Sequence, residues 1–254
     1  MPPRTPGHLL SLFDDVCSSV REALDALPDW NHLGAAGAHA GQYRHDVAAD
    51  EAALTLLDRA GVGVLSEESG LRRGEAEIVV IIDPIDGSTN ASRGIPWFAT
   101  SLCAVDADGP LVSMVVNQAL GVRYHAVRGE GAWRDGSRIV GRATASLADA
   151  FMGISGLPGV AVGWRQFRAL GASALDLCAV ADGTLDGFLD CSPDAHGVWD
   201  YAGAMLVCAE AGAVVSDALG RSLVVLDPAA RRTPVAGCSQ TLHDELWAVR
   251  RTFS

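Results

Sequence analysis

The sequence predicts a mixed α/β protein. Three observations carry this: an amphipathic helical repeat near the start, a short β-branched apolar run in the middle, and alternating strand-like and helix-like segments after residue 145. Leu9, Phe13, Val16, Val20, Leu24 and Leu27 recur at three- and four-residue steps, which predicts a helix over 8–27 that ends before Pro28. Residues 29–43 are rich in Gly and Ala without periodicity and read as a loop. A second helix follows in AADEAALTLLDRA, then the strand VGVLS at 62–66, a charged loop at Glu67-Glu68-Ser69-Gly70, and a buried strand over 78–82. From Phe98 to about Gly136, apolar segments separated by Asp-Gly or Gly signals predict an antiparallel meander. The remainder alternates AFMGI, a helix around 164–170, SALDLCAVADG, GFLD, VWDYAGAMLVCAEAGA, AVVS, LVVLD, PVAGCS and TLHDELWAVR. No linker separates the two parts, so 1–145 and 146–254 are expected to be subdomains of one compact body.

With 254 residues and 49% hydrophobic content, the chain can fill a sizeable core and is not disordered. Its formal charge of −12 argues against a nucleic-acid footprint or an anionic membrane surface, both of which favour clustered Lys and Arg. An anionic ligand would therefore need bound metal to supply local positive charge. Six cysteines lie far apart with no CxxC pair, as expected for small core residues in a reducing compartment. The first residues lack a continuous apolar core of signal-peptide length, and no stretch reaches membrane-spanning length. The expectation is a cytoplasmic protein.

The segment IVVIIDPIDGSTN, residues 78–90, is the most informative. A strand ends at Asp83, Pro84 fixes the backbone, Asp86 follows, and Gly87-Ser88-Thr89-Asn90 turns and caps the chain. Carboxylates crowded in this way repel unless a cation lies between them, and oxygen ligands suit hard divalent ions. An ordinary Asx-type turn is the competing reading of Asp-Pro-x-Asp-Gly alone. Two further acidic positions also fall at the ends of predicted elements: Glu67-Glu68 after a strand, and Asp200 near a helix start, where a carboxylate can also merely face the macrodipole.

Taken together, SEES at 66–69, DPIDGSTN at 83–90 and WDYAGAMLVCAEAGA at 199–213 resemble the signature segments of the inositol monophosphatase family of Mg²⁺-dependent phosphatases. GASALDLCAVADGTLDGFLD at 171–190 resembles its substrate segment. The resemblance implies a layered αβαβα sandwich, usually a homodimer, acting on a small phosphate ester with two or three Mg²⁺ ions, or Mn²⁺ in their place. By matching position, Glu67, Asp83 and the Ile85 carbonyl would hold the first metal, and Asp83, Asp86 and Asp200 the second. Glu67 would support a third. Ser88, where the family usually has Thr, would act with Asp50 to orient and deprotonate the attacking water. The Gly87-Ser88-Thr89 amides would meet the phosphate. Gly171, Ala172 and Ser173 would offer backbone donors to the substrate, and Asp190 would accept from one of its hydroxyls.

Asp46 is expected to cap the helix that begins near Val47 rather than take part in catalysis. His45 and His196 are expected at surface or supporting positions, because a carboxylate site for a hard metal has no need of imidazole. The chain departs from the family pattern on the substrate side: it is shorter between Gly153 and Arg168 and longer at 190–200, and the usual lysine is absent, with Gln42 or Arg44 nearby. The expected activity is hydrolysis of a small polyol phosphate such as inositol monophosphate. Histidinol phosphate, fructose 1,6-bisphosphate, 3′-phosphoadenosine 5′-phosphate and a non-catalytic regulatory role are the alternatives.

Overall fold

Residues 5–28, 43–142 and 146–253 are described by a computed structural model. Residues 29–42 of the loop predicted over 29–43, Gln42 among them, lie outside them. Helix α1 (Pro6–Ala26) opens with a proline in its first turn and α2 (Arg44–Ala60) ends on Gly61 in the left-handed region. Strand β1 (Gly63–Ser66) runs parallel to β3 (Val79–Asp86), and a short β2 (Gly70–Arg72), not foreseen in the charged loop, pairs antiparallel to β1. One turn of helix, α3 (Ser88–Ser92), follows. The predicted meander is present as β4 (Ala99–Asp106), β5 (Gly109–Asn117), β6 (Arg123–Val127), β7 (Gly131–Arg134) and β8 (Ser137–Arg138). These strands form one eight-stranded sheet in the order β2-β1-β3-β4-β5-β6-β7-β8.

A second, five-stranded sheet has the order β10-β9-β11-β13-β12, made from β9 (Phe151–Ser155), β10 (Gln166–Arg168), β11 (Gly187–Asp190), β12 (Val214–Asp217) and β13 (Pro234–Gly237). Helices α4 (Ser173–Ala181), α5 (Ala202–Ala211) and α6 (Gln240–Arg250) complete the chain. Two expectations fail here. The segment around 164–170 is not helical: Gln166–Arg168 extends along β9 as an edge strand. Phe167 is 45% exposed there, so its apolar character does not report a buried helical face. The LVVLD run forms no strand, and Leu223 is instead packed into the core from irregular backbone.

The layers follow from which faces are covered. In β3, Val80 and Ile82 belong to the cluster containing Leu9, Phe13, Val20 and Leu57 of α1 and α2, whereas Val79 and Ile81 belong to the cluster containing α4 and α5. A sheet clad on both faces has no polar face, which is why this strand reads as a continuous apolar run. Every residue of α4 is buried, because it lies between the two sheets. Helix α6 packs on β11 and β13 from the far side. The order is helices, sheet, helices, sheet, helix: an αβαβα sandwich.

Burial dominates the energetics. Each fully buried Leu or Phe contributes roughly 1.5–3 kcal/mol, while an exposed pair such as Arg21–Asp25 adds about 1 kcal/mol at most. All six cysteines are free and buried, filling core volume. No described helix is long and apolar enough to cross a membrane.

Helix α5 approaches the first sheet through Gly203. A Cβ there would lie 2.6 Å from Ser101 Oγ and 3.1 Å from the Leu102 carbonyl. Alanine is the better helix former by about 1 kcal/mol, but overpacking of this kind costs about 1–3 kcal/mol. Gly203→Ala is therefore expected to lower the midpoint of chemical denaturation; a raised midpoint would show that the helix can lift off the sheet without loss.

Candidate active site

The acidic cluster is built by the parallel pairing of β1 with β3. Ser66 is in register with Ile82, and the Glu67 N–H continues the ladder by donating to the Ile82 carbonyl at 3.3 Å. Glu67 is thereby set beside Asp83. Pairing of β3 with β4 breaks between Asp83 and Asp86, and Thr100 Oγ1 donates to the Pro84 carbonyl at 2.9 Å within that irregularity. Such a bulge re-aims side chains next to a site. Asp200 ends a 3₁₀ turn (Val198–Asp200) ahead of α5, its Oδ2 accepting the Gly197 N–H at 2.8 Å. One ligand oxygen from each of Glu67, Asp83 and Asp200 lies within 4.8 Å of the others.

Asp86 stands just outside that trio. Its two oxygens accept the Ser173 and Ala174 N–H groups at 3.2 and 2.7 Å, tying it to the first turn of α4. Asn90 Nδ2 donates to the carbonyls of Trp97 and Leu170, both at 2.7 Å, which locks the DPIDGSTN corner to the Gly171 segment. Gly87 has φ +92°, and a Cβ on it would sit 3.1 Å from the Trp97 carbonyl and 3.2 Å from the Gly171 carbonyl. The corner can close this tightly only with glycine there.

Ser88 donates to the Ile85 carbonyl at 2.9 Å and lies against the Asp46 carboxylate. This differs from the sequence expectation, which joined Ser88 with Asp50. Asp50 instead accepts the Ser66 hydroxyl at 2.5 Å and supports the loop after β1. Both aspartates sit on one face of α2, one turn apart, and spacing cannot say which turn faces the corner. Asp46 is not the N-cap either: the helix starts at Arg44, and Asp46 Oδ2 accepts the Tyr43 N–H at 2.7 Å while the buried Oδ1 lies 3.3 Å from His45 Nε2.

The two histidines expected at surface or supporting positions are both buried. His45 stacks on Tyr43, and burial holds its pKa below the usual imidazole value. His196 lines a cleft of about 290 Å³ together with Asp86, Ser173, Asp176 and Asp200. Gly171 and Ala172 also line it. Asp190 does not: it is fully buried, its oxygens taken by the Ser192 N–H at 2.9 Å and by His196 Nδ1 at 2.9 Å. A direct contact from Asp190 to a substrate hydroxyl is thus not what the geometry offers.

Electrostatics test whether this donor set fits a cation. Burial first, and then repulsion from neighbouring carboxylates, push Asp83 and Asp86 well above the ordinary carboxylate value. Burial and the Asp200 charge push Glu67 up to about 8, although its side chain reaches solvent. Burial also raises Asp200, against the opposing pull of His196. Oxygen donors that repel one another this strongly hold protons when no cation lies among them, and they match the hard-ion preference of Mg²⁺ and Mn²⁺.

A pH dependence follows. Carboxyls whose folded pKa lies above the unfolded value contribute stability that is present below the unfolded pKa and lost as pH rises through the folded one. For Glu67 that window runs from 4.5 to about 8. In chelator, the melting temperature is expected to fall as pH is raised across this window, and Mg²⁺ is expected to restore it most at the alkaline end. A melting temperature that rises with pH in chelator would contradict the cluster's electrostatics.

Comparison with known proteins gives the family. The model of the inositol monophosphatase family matches residues 45–252. A fructose-1,6-bisphosphatase/inositol-1-monophosphatase of Archaeoglobus fulgidus is 37% identical over 183 residues, 70% of this chain and 71% of that protein. An inositol-1-monophosphatase of Mesorhizobium japonicum is 36% identical over 176 residues, 63% of this chain and 64% of its own. A solved inositol monophosphatase–fructose 1,6-bisphosphatase superposes with a TM-score of 0.83 at 25% identity, covering 94% of this chain and 98% of that one. The chain is a phosphoric monoester hydrolase and belongs to the metal-dependent inositol monophosphatase family.

Proposed function

We propose that the chain hydrolyses a small polyol monophosphate, such as inositol monophosphate, by direct attack of water on phosphorus with Mg²⁺ as the cofactor. The convergence of Glu67 and Asp83 on Asp200, which itself lines a small cleft, carries this reading. In it, Glu67, Asp83, the Ile85 carbonyl, Asp86 and Asp200 hold two or three ions, with Mn²⁺ as a substitute. When bound, such ions acidify water and offset the charge on phosphate and leaving oxygen. The chain's own groups position the reactants. Ser88 has its proton committed to the Ile85 carbonyl, so its oxygen accepts from the attacking water rather than attacking phosphorus itself. Asp46, whose carboxylate lies against Ser88 and is kept proton-avid by burial, takes the water's proton, the part the sequence reading gave to Asp50. The Gly87-Ser88-Thr89 amides face the phosphate. Gly171, Ala172 and Ser173 border the organic part of the ester.

The cleft wall bears on the substrate. Among the described residues lining it there is no Lys or Arg, and Asp86, Asp176 and Asp200 are acidic. A second phosphate, as in fructose 1,6-bisphosphate, finds no cationic side chain apart from His196. A monophosphate with neutral hydroxyls is favoured. Asp176 favours a second reading: it lines the cleft, held by Trp97 Nε1 at 2.8 Å, and would pair with the ammonium of an aminated ester such as histidinol phosphate. Six buried free thiols agree with a reducing cytoplasm, and we take the working form to be a homodimer.

Phosphate release from a panel of esters in Mg²⁺ tests the assignment. Inositol monophosphate is expected to exceed fructose 1,6-bisphosphate in kcat/KM, and faster turnover of the bisphosphate would overturn the monophosphate reading. Asp46→Asn is expected to lower kcat by about 10²-fold or more, while Asp50→Asn acts chiefly on thermal stability. The reverse ranking would return the base to Asp50. Asp83→Asn, which preserves shape and removes charge, should abolish phosphate release. Undiminished turnover by that variant would exclude the carboxylate cluster from the chemistry.

A further inference from the structure

The cleft wall carries a chain of hydrogen bonds that the assignments above leave unused. Ser173 Oγ lies 2.8 Å from His196 Nε2, and His196 Nδ1 lies 2.9 Å from Asp190 Oδ2. Asp190 is fully buried and its other oxygen accepts the Ser192 N–H at 2.9 Å, so the carboxylate cannot turn into the cleft. It holds a proton on Nδ1 and makes Nε2 the atom that exchanges with Ser173. Ser173 and His196 line the same cleft as Asp86 and Asp200. The charged groups that face the imidazole are Asp190 from β11, Asp200 from the turn before α5, Asp86 from β3 and Asp176 from α4. All are acids, and burial alone opposes the imidazolium form.

The same three side chains, so linked, serve nucleophilic serine catalysis elsewhere. Here the two amides at the start of α4 that would have to stabilise an oxyanion are both committed to Asp86. Ser173 is therefore placed to pass on a proton, not to form a covalent bond. We infer that Ser173, His196 and Asp190 form a relay that protonates the oxygen on which the organic part of the substrate departs. This rests on the phosphomonoesterase reading above and deepens it: the relay suits esters of ordinary alcohols, whose alkoxides are too basic to leave unprotonated.

As the P–O bond breaks, its electron pair stays on the leaving oxygen. The Ser173 hydroxyl proton moves to that oxygen, and the Nε2 proton of His196 moves to Oγ. Solvent returns a proton to Nε2, and the proton lost by the attacking water leaves through Asp46. The balance is ester plus water to alcohol plus phosphate. Asp190 is a positioning residue, since it acts through His196.

Steady-state kinetics in Mg²⁺ with inositol 1-phosphate, 2-glycerophosphate and p-nitrophenyl phosphate test the relay, because p-nitrophenolate leaves without a proton. His196→Gln and Ser173→Ala are each expected to lower kcat on the alkyl esters by about 100-fold, with a loss at least about tenfold smaller on p-nitrophenyl phosphate. The double variant should be no worse than either single one, as for groups acting as a unit. Ser173→Thr, which keeps the hydroxyl, should recover most of the alkyl-ester rate. Equal losses on both ester types, or no loss, overturn the relay, as does labelling of Ser173 by a fluorophosphonate, which would make it a nucleophile. Failure of the unsubstituted enzyme on every ester would overturn the phosphomonoesterase reading itself, and the relay with it.

Discussion

Charge compensation among buried carboxylates is the constraint on which this molecule turns. Burial drives Asp83, Asp86 and Asp200 upward in pKa, neighbouring carboxylates add to the push on Asp83 and Asp86, and Glu67 joins them at the solvent edge. Such a cluster works against folding at neutral pH unless protons or cations fill it. The surrounding sandwich must hold these groups together against that repulsion, which explains why each is fixed by backbone donors or by strand register rather than by flexible side-chain contacts.

The scaffold achieves this with few devices. Parallel pairing of β1 and β3 aligns Glu67 with Asp83, the irregularity in β3 turns Asp86 away toward α4, and the turn before α5 brings in Asp200 from far along the chain. Helix α4 joins the two sheets and caps Asp86 with its first amides, so the cleft wall and the acidic cluster share one rigid element. Close approach at Gly87 and Gly203 lets the corner and α5 seat without gaps. The acidic groups and the cleft meet at Asp86 and Asp200.

Much of the architecture was legible from local pattern. The amphipathic repeat of α1, the apolar β3 run and the Gly-punctuated meander each carry their own period or turn chemistry, and they appear where expected within a few residues. Segment 164–170 misled because an exposed edge strand with Trp164 and Phe167 imitates a helical face in composition. LVVLD misled because Leu223 is buried, and Val224 and Leu226 half-buried, from irregular backbone, with no strand partner to order them. The carboxylates were legible because clustered acids at element ends, joined to a family resemblance, leave few other uses for them.

What the sequence by itself determined was the class of fold and the kind of chemistry, since periodicity and residue type are local properties. Tertiary structure decided which of two aspartates one helical turn apart meets Ser88, and that Asp190 lies behind His196 instead of facing the cleft. Those outcomes depend on the angle at which a helix or loop packs against its neighbours. Side chains a few ångströms apart in space but distant in sequence, such as Ser173 and Asp190, exchange hydrogen bonds only once that packing is set.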